Sequence, residues 1–342
     1  MLILVSSGLA LLGACSGGAR RPRDVAGDRR PRGQVADASA DGGDPGIAPE
    51  PPAPVVQPVA KANKPRIVAH ASTRALAVDA TSLYYGDSED DGIYALPKAG
   101  GDPVRLARHA PVAGAIALDS DTVTWIGSPG DAVLRVPLHG GAQPTTLRDR
   151  GIFSDVATQA GDVFIAEAVG AGGALWRVAG TTSTRIAGLD AAPRAVMVDA
   201  THVYVITKSG IVRTPYPKAQ IETVASGTAF GTAEMDDTSI YVVAAADKSR
   251  VVAKVAKSGG AMTTLATGVR DGPLEVFGDE ILYLEAARPA LRAVPKGGGA
   301  SRLVAEDETL SGATAIEADG QTIYVATGSA ENGVIVAVDG AK

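Results

Sequence analysis

An all-β chain of repeated four-stranded units is predicted by three observations. Short apolar runs alternate at period two, Gly (41) and Pro (21) interrupt them every few residues, and one motif returns at a spacing near 40. Alternation at period two marks strands, and the frequent Gly and Pro break up the long faces that helical repeats require. A period of about 40 with four short strands per unit is the signature of propeller blades. The 342 residues are 45% hydrophobic, enough for a sizeable core, and the net charge of −6 argues against a nucleic-acid-binding stripe. A single cysteine excludes an intrachain disulfide and a cysteine-based zinc site. The four scattered histidines leave little for a histidine metal cluster, and no GxSxG, HExxH or P-loop occurs.

In chain order, residues 1–14 come first as an apolar run ending in small residues. A run of about fourteen residues is too short to span a bilayer core and has the length of a signal-peptide core. The tetrapeptide Leu12-Gly13-Ala14-Cys15 ends on the only cysteine and resembles the bacterial lipobox. That resemblance implies a lipoprotein: cleavage before Cys15, diacylglycerol on its thiol, and export to the cell envelope. Ser16 after the cysteine implies, by the same resemblance, sorting to the outer membrane. No Lys or Arg precedes the apolar run, so the start is expected upstream of Met1.

Residues 15–64 hold few aromatic or β-branched residues and many Pro, Ala, Gly, Asp and Arg. Such a segment buries too little apolar area to offset its ordering entropy, so a disordered tether is expected. Arg20, Arg21, Arg23, Arg29, Arg30 and Arg32 crowd its first half. They are read either as attraction to anionic head groups or as solvated charge that keeps the tether open. The proline run from Pro49 to Pro54 extends the second half. As a flexible chain the tether would span roughly 35–42 Å.

Residues 65–342 are expected to be the propeller. An Asp followed four residues later by an apolar–aromatic pair begins at Asp79, Asp119, Asp199, Asp236 and Asp319, with weaker copies at Gln159 and Phe277. The seven anchors lie 40, 40, 40, 37, 41 and 42 residues apart. A second anchor trails by about eighteen residues: a strand, then Pro-Lys-x-Gly-Gly or a relic of it, as in Pro97-Lys98 with Gly100-Gly101 and Pro295-Lys296 with Gly298. In the first unit, 75–78, 83–86, 93–96 and 104–107 read as inner to outer strands. The Asp turn joins the first two, because Asp caps tight turns through backbone N–H groups. Gly-Gly joins the last two by supplying positive φ. Residues 66–70 match an outer strand yet precede the first unit, while the last unit stops after three strands. The N-terminal strand should therefore close the last of seven antiparallel blades and pair an edge otherwise open to aggregation. A monomer follows.

These units resemble YWTD-type and TolB-like propeller repeats, and a group of secreted bacterial proteins that share the Val-Pro-Lys-x-Gly-Gly turn. The Trp of the YWTD strand is replaced here by Tyr85, Ile165, Val205, Val242, Tyr283 and Val325. YWTD propellers have six blades, which makes six the alternative count.

The Asp of each repeat recurs from blade to blade and is assigned to the fold, since a catalytic residue needs no five copies. Functional side chains are sought instead on the outer-to-inner and second-to-third strand loops, which share one face. Arg74, Arg194, Arg270, Asp87, Asp91 and Asp131 are the binding-face candidates there. No catalytic residue is assigned and no cofactor is expected. The preferred reading is a non-enzymatic envelope scaffold that binds a protein or glycan and reaches the membrane through its lipid. The alternative is a lactonase- or lyase-type enzyme with a divalent cation, calcium for instance, at the channel mouth, for which Asp155, Glu331 and Asn332 are the candidate ligands.

Overall fold

The computed structural model describes residues 62–217, 220–227, 230–328 and 332–340. The signal peptide, Cys15 and nearly all of the tether lie outside the described residues, as does Glu331. Apart from a 3-10 turn at Glu308–Leu310, the regular structure of the described residues is β-strand. The alternation read from the sequence places the first unit within a residue or two. Its strands are Leu76–Val78, Ser82–Asp87, Gly92–Pro97 and Val104–Ala107, hydrogen-bonded in that order.

Six further four-stranded antiparallel sets follow the same plan. Blades 1 to 4 occupy 76–107, 112–149, 153–189 and 193–226, and blade 7 is built from 313–339 together with Arg66–His70. Blades 5 and 6 are fused: the 15-residue strand Thr263–Phe277 pairs with Ser249–Ala256 through its first half and with Glu280–Glu285 through its second. It is at once the outer strand of blade 5 and the inner strand of blade 6. Inner strands touch their neighbours in chain order, and that of blade 7 touches that of blade 1, so the sets close into a ring.

The chain's own N-terminal strand latches this ring. Arg66–His70 runs antiparallel to Val334–Asp339, with Arg66 opposite Ala337 and His70 opposite Val334. Contact begins slightly earlier, at Asn63. Its N–H donates to the Val304 carbonyl of blade 6 (2.9 Å) and its Nδ2 to the Asp339 carbonyl (2.6 Å).

The core lies between blades, where one face of each set packs on the next. Ala77, Tyr84 and Ile93 of blade 1 meet Ile116, Val123 and Trp125 of blade 2, and Trp125 is fully buried. Each large aliphatic or aromatic side chain buried this way contributes about 1.5–3 kcal/mol. The Gly-Gly turns need glycine for torsion rather than for space. Gly100 and Gly101 have φ of 96° and 115°, while a Cβ at either would meet nothing within 4 Å.

Candidate functional site

The turns between first and second strands form one end of the ring, and a single carboxylate organises each of four of them. Asp79 Oδ1 accepts from the N–H groups of Thr81 (2.7 Å) and Ser82 (2.8 Å), while Oδ2 accepts from the Tyr84 hydroxyl (2.8 Å). Asp199 and Asp236 repeat the pattern with Tyr204 and Tyr241. Asp319 accepts from the N–H groups of Gln321 and Thr322. Asp119 differs, accepting from its neighbour Ser120 N–H at 2.8 Å.

A second bond at these turns crosses between blades. The lysine after the third strand of one blade reaches the turn carboxylate of the blade before it. Lys257 sits 3.0 Å from Asp199, Lys296 2.9 Å from Asp236, and Lys98 2.8 Å from Asp319. The last of these spans the closure between blades 7 and 1. Lys98 also donates to the Asp79 carbonyl at 2.6 Å. Where the carboxylate is replaced, so is the lysine: Gln159 goes with Tyr216, and Phe277 with Gly340, where a Cβ would overlap the Phe277 ring.

These contacts fix the charge state of the turns. Burial works to raise the Asp199 carboxyl. The Thr201 N–H, Lys257 and the His202 N–H outweigh it and hold the group well below the usual aspartate range. At Asp236 burial is outweighed by Lys296, then by the Thr238 N–H and the Tyr241 hydroxyl. A carboxyl lowered by folding contributes stability above its ordinary pKa and loses it as pH falls through the lowered value. A double-mutant cycle of Lys257→Met with Asp199→Asn should return a coupling of about 1–2 kcal/mol at neutral pH, shrinking in acid. Urea midpoints check this, and a coupling near zero at pH 7 rejects the clasp.

At the same end a funnel of about 1310 Å3 opens at the channel mouth. Its wall comes from blades 1, 2, 3, 6 and 7, and its lining mixes Leu118, Val276 and Phe277 with Asp79, Asp119, Asp121, Asp319 and one cation, Lys98. Asp199 and Asp236, both clasped by lysine, lie outside the lining. The places where those lysines would reach Asp79 and Asp119 hold Leu138 and Gly180 instead. Among the described residues no Lys or Arg comes within ion-pair distance of Asp119 or Asp121. Gln159 also lines the funnel, and its buried Oε1 has no hydrogen-bond partner in the chain.

Deeper along the axis the inner strands carry Ala77, Ala117, Ala157, Met197, Glu234, Glu275 and Glu317 at one register, each next to the last residue of its strand or nearly so. The three glutamates are 7%, 2% and 2% exposed. Burial first, then repulsion from Glu317 and Asp155, pushes Glu234 well above the usual range. Glu275 is pushed up by burial, Glu317 and Glu234, with Lys296 opposing. The three glutamates stand on the inner strands of three successive blades, 5, 6 and 7.

The residues singled out from the sequence are dispersed. Arg74, Asp91, Asp131 and Asn332 are exposed. Asp87 Oδ1 accepts from Ser72 and Glu89 N–H groups and pins its own loop. Arg194 donates to the Phe230 carbonyl (3.0 Å), and Arg270 to those of Ser311 (2.7 Å) and Ala313 (2.6 Å), each tying one blade to the next. Arg270 also borders a smaller hollow of about 540 Å3 with Arg250 and Asp271. Asp155 is fully buried; its Oδ2 accepts from the Val196 N–H (2.8 Å) and burial pushes its pKa well up. Among the described residues no three His, Cys, Asp or Glu side chains converge as a metal-binding group. The larger concavity therefore lies at the end opposite the loops favoured by the sequence, and is built partly from the repeat carboxylates.

No protein-family model matches the sequence, and no curated protein does. Solved structures do match. A streptogramin B lyase aligns at TM-score 0.63 and 10% identity, over 79% of this chain and 94% of that one. An oligogalacturonate lyase from Vibrio parahaemolyticus gives 0.61 at 11% identity, over 81% and 92%. The WD40 beta propeller domain of Doa1 gives 0.59 at 15% identity, over 80% and 97%. The chain is a β-propeller. At such identities the likeness speaks for the fold alone, and the neighbours include enzyme and non-enzyme propellers alike.

Proposed function

We propose that this chain is a non-enzymatic binding lipoprotein of the cell envelope, held to a membrane by acyl chains on Cys15 and engaging a protein or glycan at the funnel. The funnel itself carries the reading. It is a large mixed apolar and polar concavity on rigid, hydrogen-bonded turns, the kind of surface on which binding sites are found. The lipid part rests on the Leu12-Gly13-Ala14-Cys15 match, and two or more acyl chains would anchor stably. Outer-membrane placement rests on Ser16 alone.

The alternative, a lactonase- or lyase-type enzyme using a divalent cation, is motivated by the lyases among the structural neighbours. One experiment separates the readings. A photo-crosslinker at Ser120 in the funnel should trap a discrete envelope partner, while one at Glu89 on the opposite end should not. Purified protein with Mn2+ or Ca2+ should turn over neither lactones nor oligogalacturonate. Metal-dependent turnover abolished by Asp119→Asn would overturn the binding reading. Loss of labelling by a fatty-acid probe in Cys15→Ala checks the anchor.

A further inference from the structure

The chain has two asparagines, Asn63 and Asn332, and the fold sets both at the seam where the ring closes. They flank the latch strand at opposite ends. Asn63 precedes Arg66–His70, and both its main-chain N–H and its carboxamide are engaged, with the Val304 carbonyl (2.9 Å) and the Asp339 carbonyl (2.6 Å). Asn332 lies on the loop before Val334–Asp339, is exposed, and has a carboxamide that no described residue holds. Gly333 follows it and has no Cβ to shield its nitrogen. Packing requires this glycine: a Cβ there would stand 2.5 Å from the Ala71 carbonyl oxygen and 2.6 Å from the Ser72 Cα. The Gly333 carbonyl accepts from the Ala71 N–H (3.0 Å), directly after the latch, and beside it Val334 pairs with His70. An exposed, unheld asparagine with an unshielded nitrogen after it therefore sits on the bond that ends the latch.

We propose that Asn332–Gly333 is a site of spontaneous backbone modification that loosens the latch as the protein ages. The Gly333 nitrogen gives its proton to base and attacks Asn332 Cγ. The bond from Cγ to the amide nitrogen breaks, and ammonia leaves with a proton returned from solvent, closing a succinimide ring. Water then opens the ring at one of its two carbonyls. Opening at Cγ leaves aspartate. Opening at the main-chain carbonyl breaks its bond to Gly333 and leaves isoaspartate, whose main chain runs through Cβ and Cγ and is longer by one carbon. That carbon enters immediately before Gly333. It moves the Gly333 carbonyl off the Ala71 N–H and Val334 out of register with His70. Asn63 is protected from the same fate, since Lys64 crowds the attacking nitrogen and the carboxamide is pinned to Asp339.

Peptide mapping of the full chain held at pH 8.5 and 37 °C reads the chemistry, and thermal melts of the same samples read the latch. Amide loss at Asn332 should run at least about tenfold faster than at Asn63, with isoaspartate as the main product. The melting temperature should fall by about 2–4 °C as the bond to Ala71 is lost. Aged protein should also begin to form the oligomers that an open strand edge recruits. Asn332→Gln, whose longer side chain closes a ring far more slowly, should keep its melting temperature through the same incubation. Freshly made Asn332→Asp carries the new charge without the added carbon and should melt as fresh wild type does. Amide loss no faster at Asn332 than at Asn63 overturns the proposal. So does a sample converted to isoaspartate at that position that melts unchanged, or an equal fall in aged Asn332→Gln.

Discussion

A chain beginning at residue 71 should lose on the order of 3 kcal/mol relative to one beginning at residue 62, a fall in Tm of roughly 6–12 °C. Removing Arg66–His70 strips blade 7 to three strands and bares the Val334–Asp339 edge. It also uncovers the Ile335 and Ala337 cluster against which Val68 and Ala69 pack. An open apolar strand recruits other strands, so the shortened chain should also form concentration-dependent oligomers. A peptide of residues 62–70 added in trans should restore both stability and monomer. Thermal melts with sizing chromatography check this. A shortened chain that melts normally as a monomer would show that the latch contributes nothing.

Glu275→Gln should stabilise the unliganded protein by about 2 kcal/mol at pH 7.5, against the usual direction of core substitutions. The Glu275 carboxyl is 2% exposed and is pushed up by burial, Glu317 and Glu234, with Lys296 the opposing charge. A carboxyl raised by folding holds its proton more tightly folded than unfolded. Its stabilisation is whole below the ordinary glutamate range and is lost as pH rises through the folded value. Wild-type stability should therefore decline across that window, and Gln at position 275 should flatten the decline. The clasped Asp199 and Asp236 act with opposite sign at lower pH, so the two effects separate along the pH axis. A Gln variant that melts below wild type at pH 7.5 would mean that the carboxyl makes a bond in its charged form.

Much of the fold was legible because its signals are local. Alternation in Ser82–Asp87 and Gly92–Pro97, a carboxylate that caps its own turn at Asp79, and positive φ at Gly100 and Gly101 need only near neighbours in sequence. Even the ring closure could be read, since Arg-Ile-Val-Ala-His was an outer strand without a blade. The site was hidden because its signals run between units. Lys98 meets a carboxylate 221 residues away, and no single repeat reveals that its lysine serves the blade before it. The repeated Asp residues do cap their own turns, as at Asp79 and Asp199, and what one repeat alone does not show is that Asp119 lacks a lysine clasp and lines the funnel. Glu234, Glu275 and Glu317 could have been noticed as the polar departures from Ala77, Ala117 and Ala157 at one register. They fall on three successive blades, 5, 6 and 7, which the repeat spacing alone already orders.

The single strand from Thr263 to Phe277 gives the molecule an uneven mechanical character. Two adjoining sectors share it without an intervening loop, so any tilt of one is transmitted to the other. The seam at Arg66–His70 is closed instead by a separate short strand, with Asn63, the Thr314 hydroxyl and one lysine bridge beside it. Under tension from the amino end the molecule should yield first at that seam, and the fused pair should be the last part to come apart.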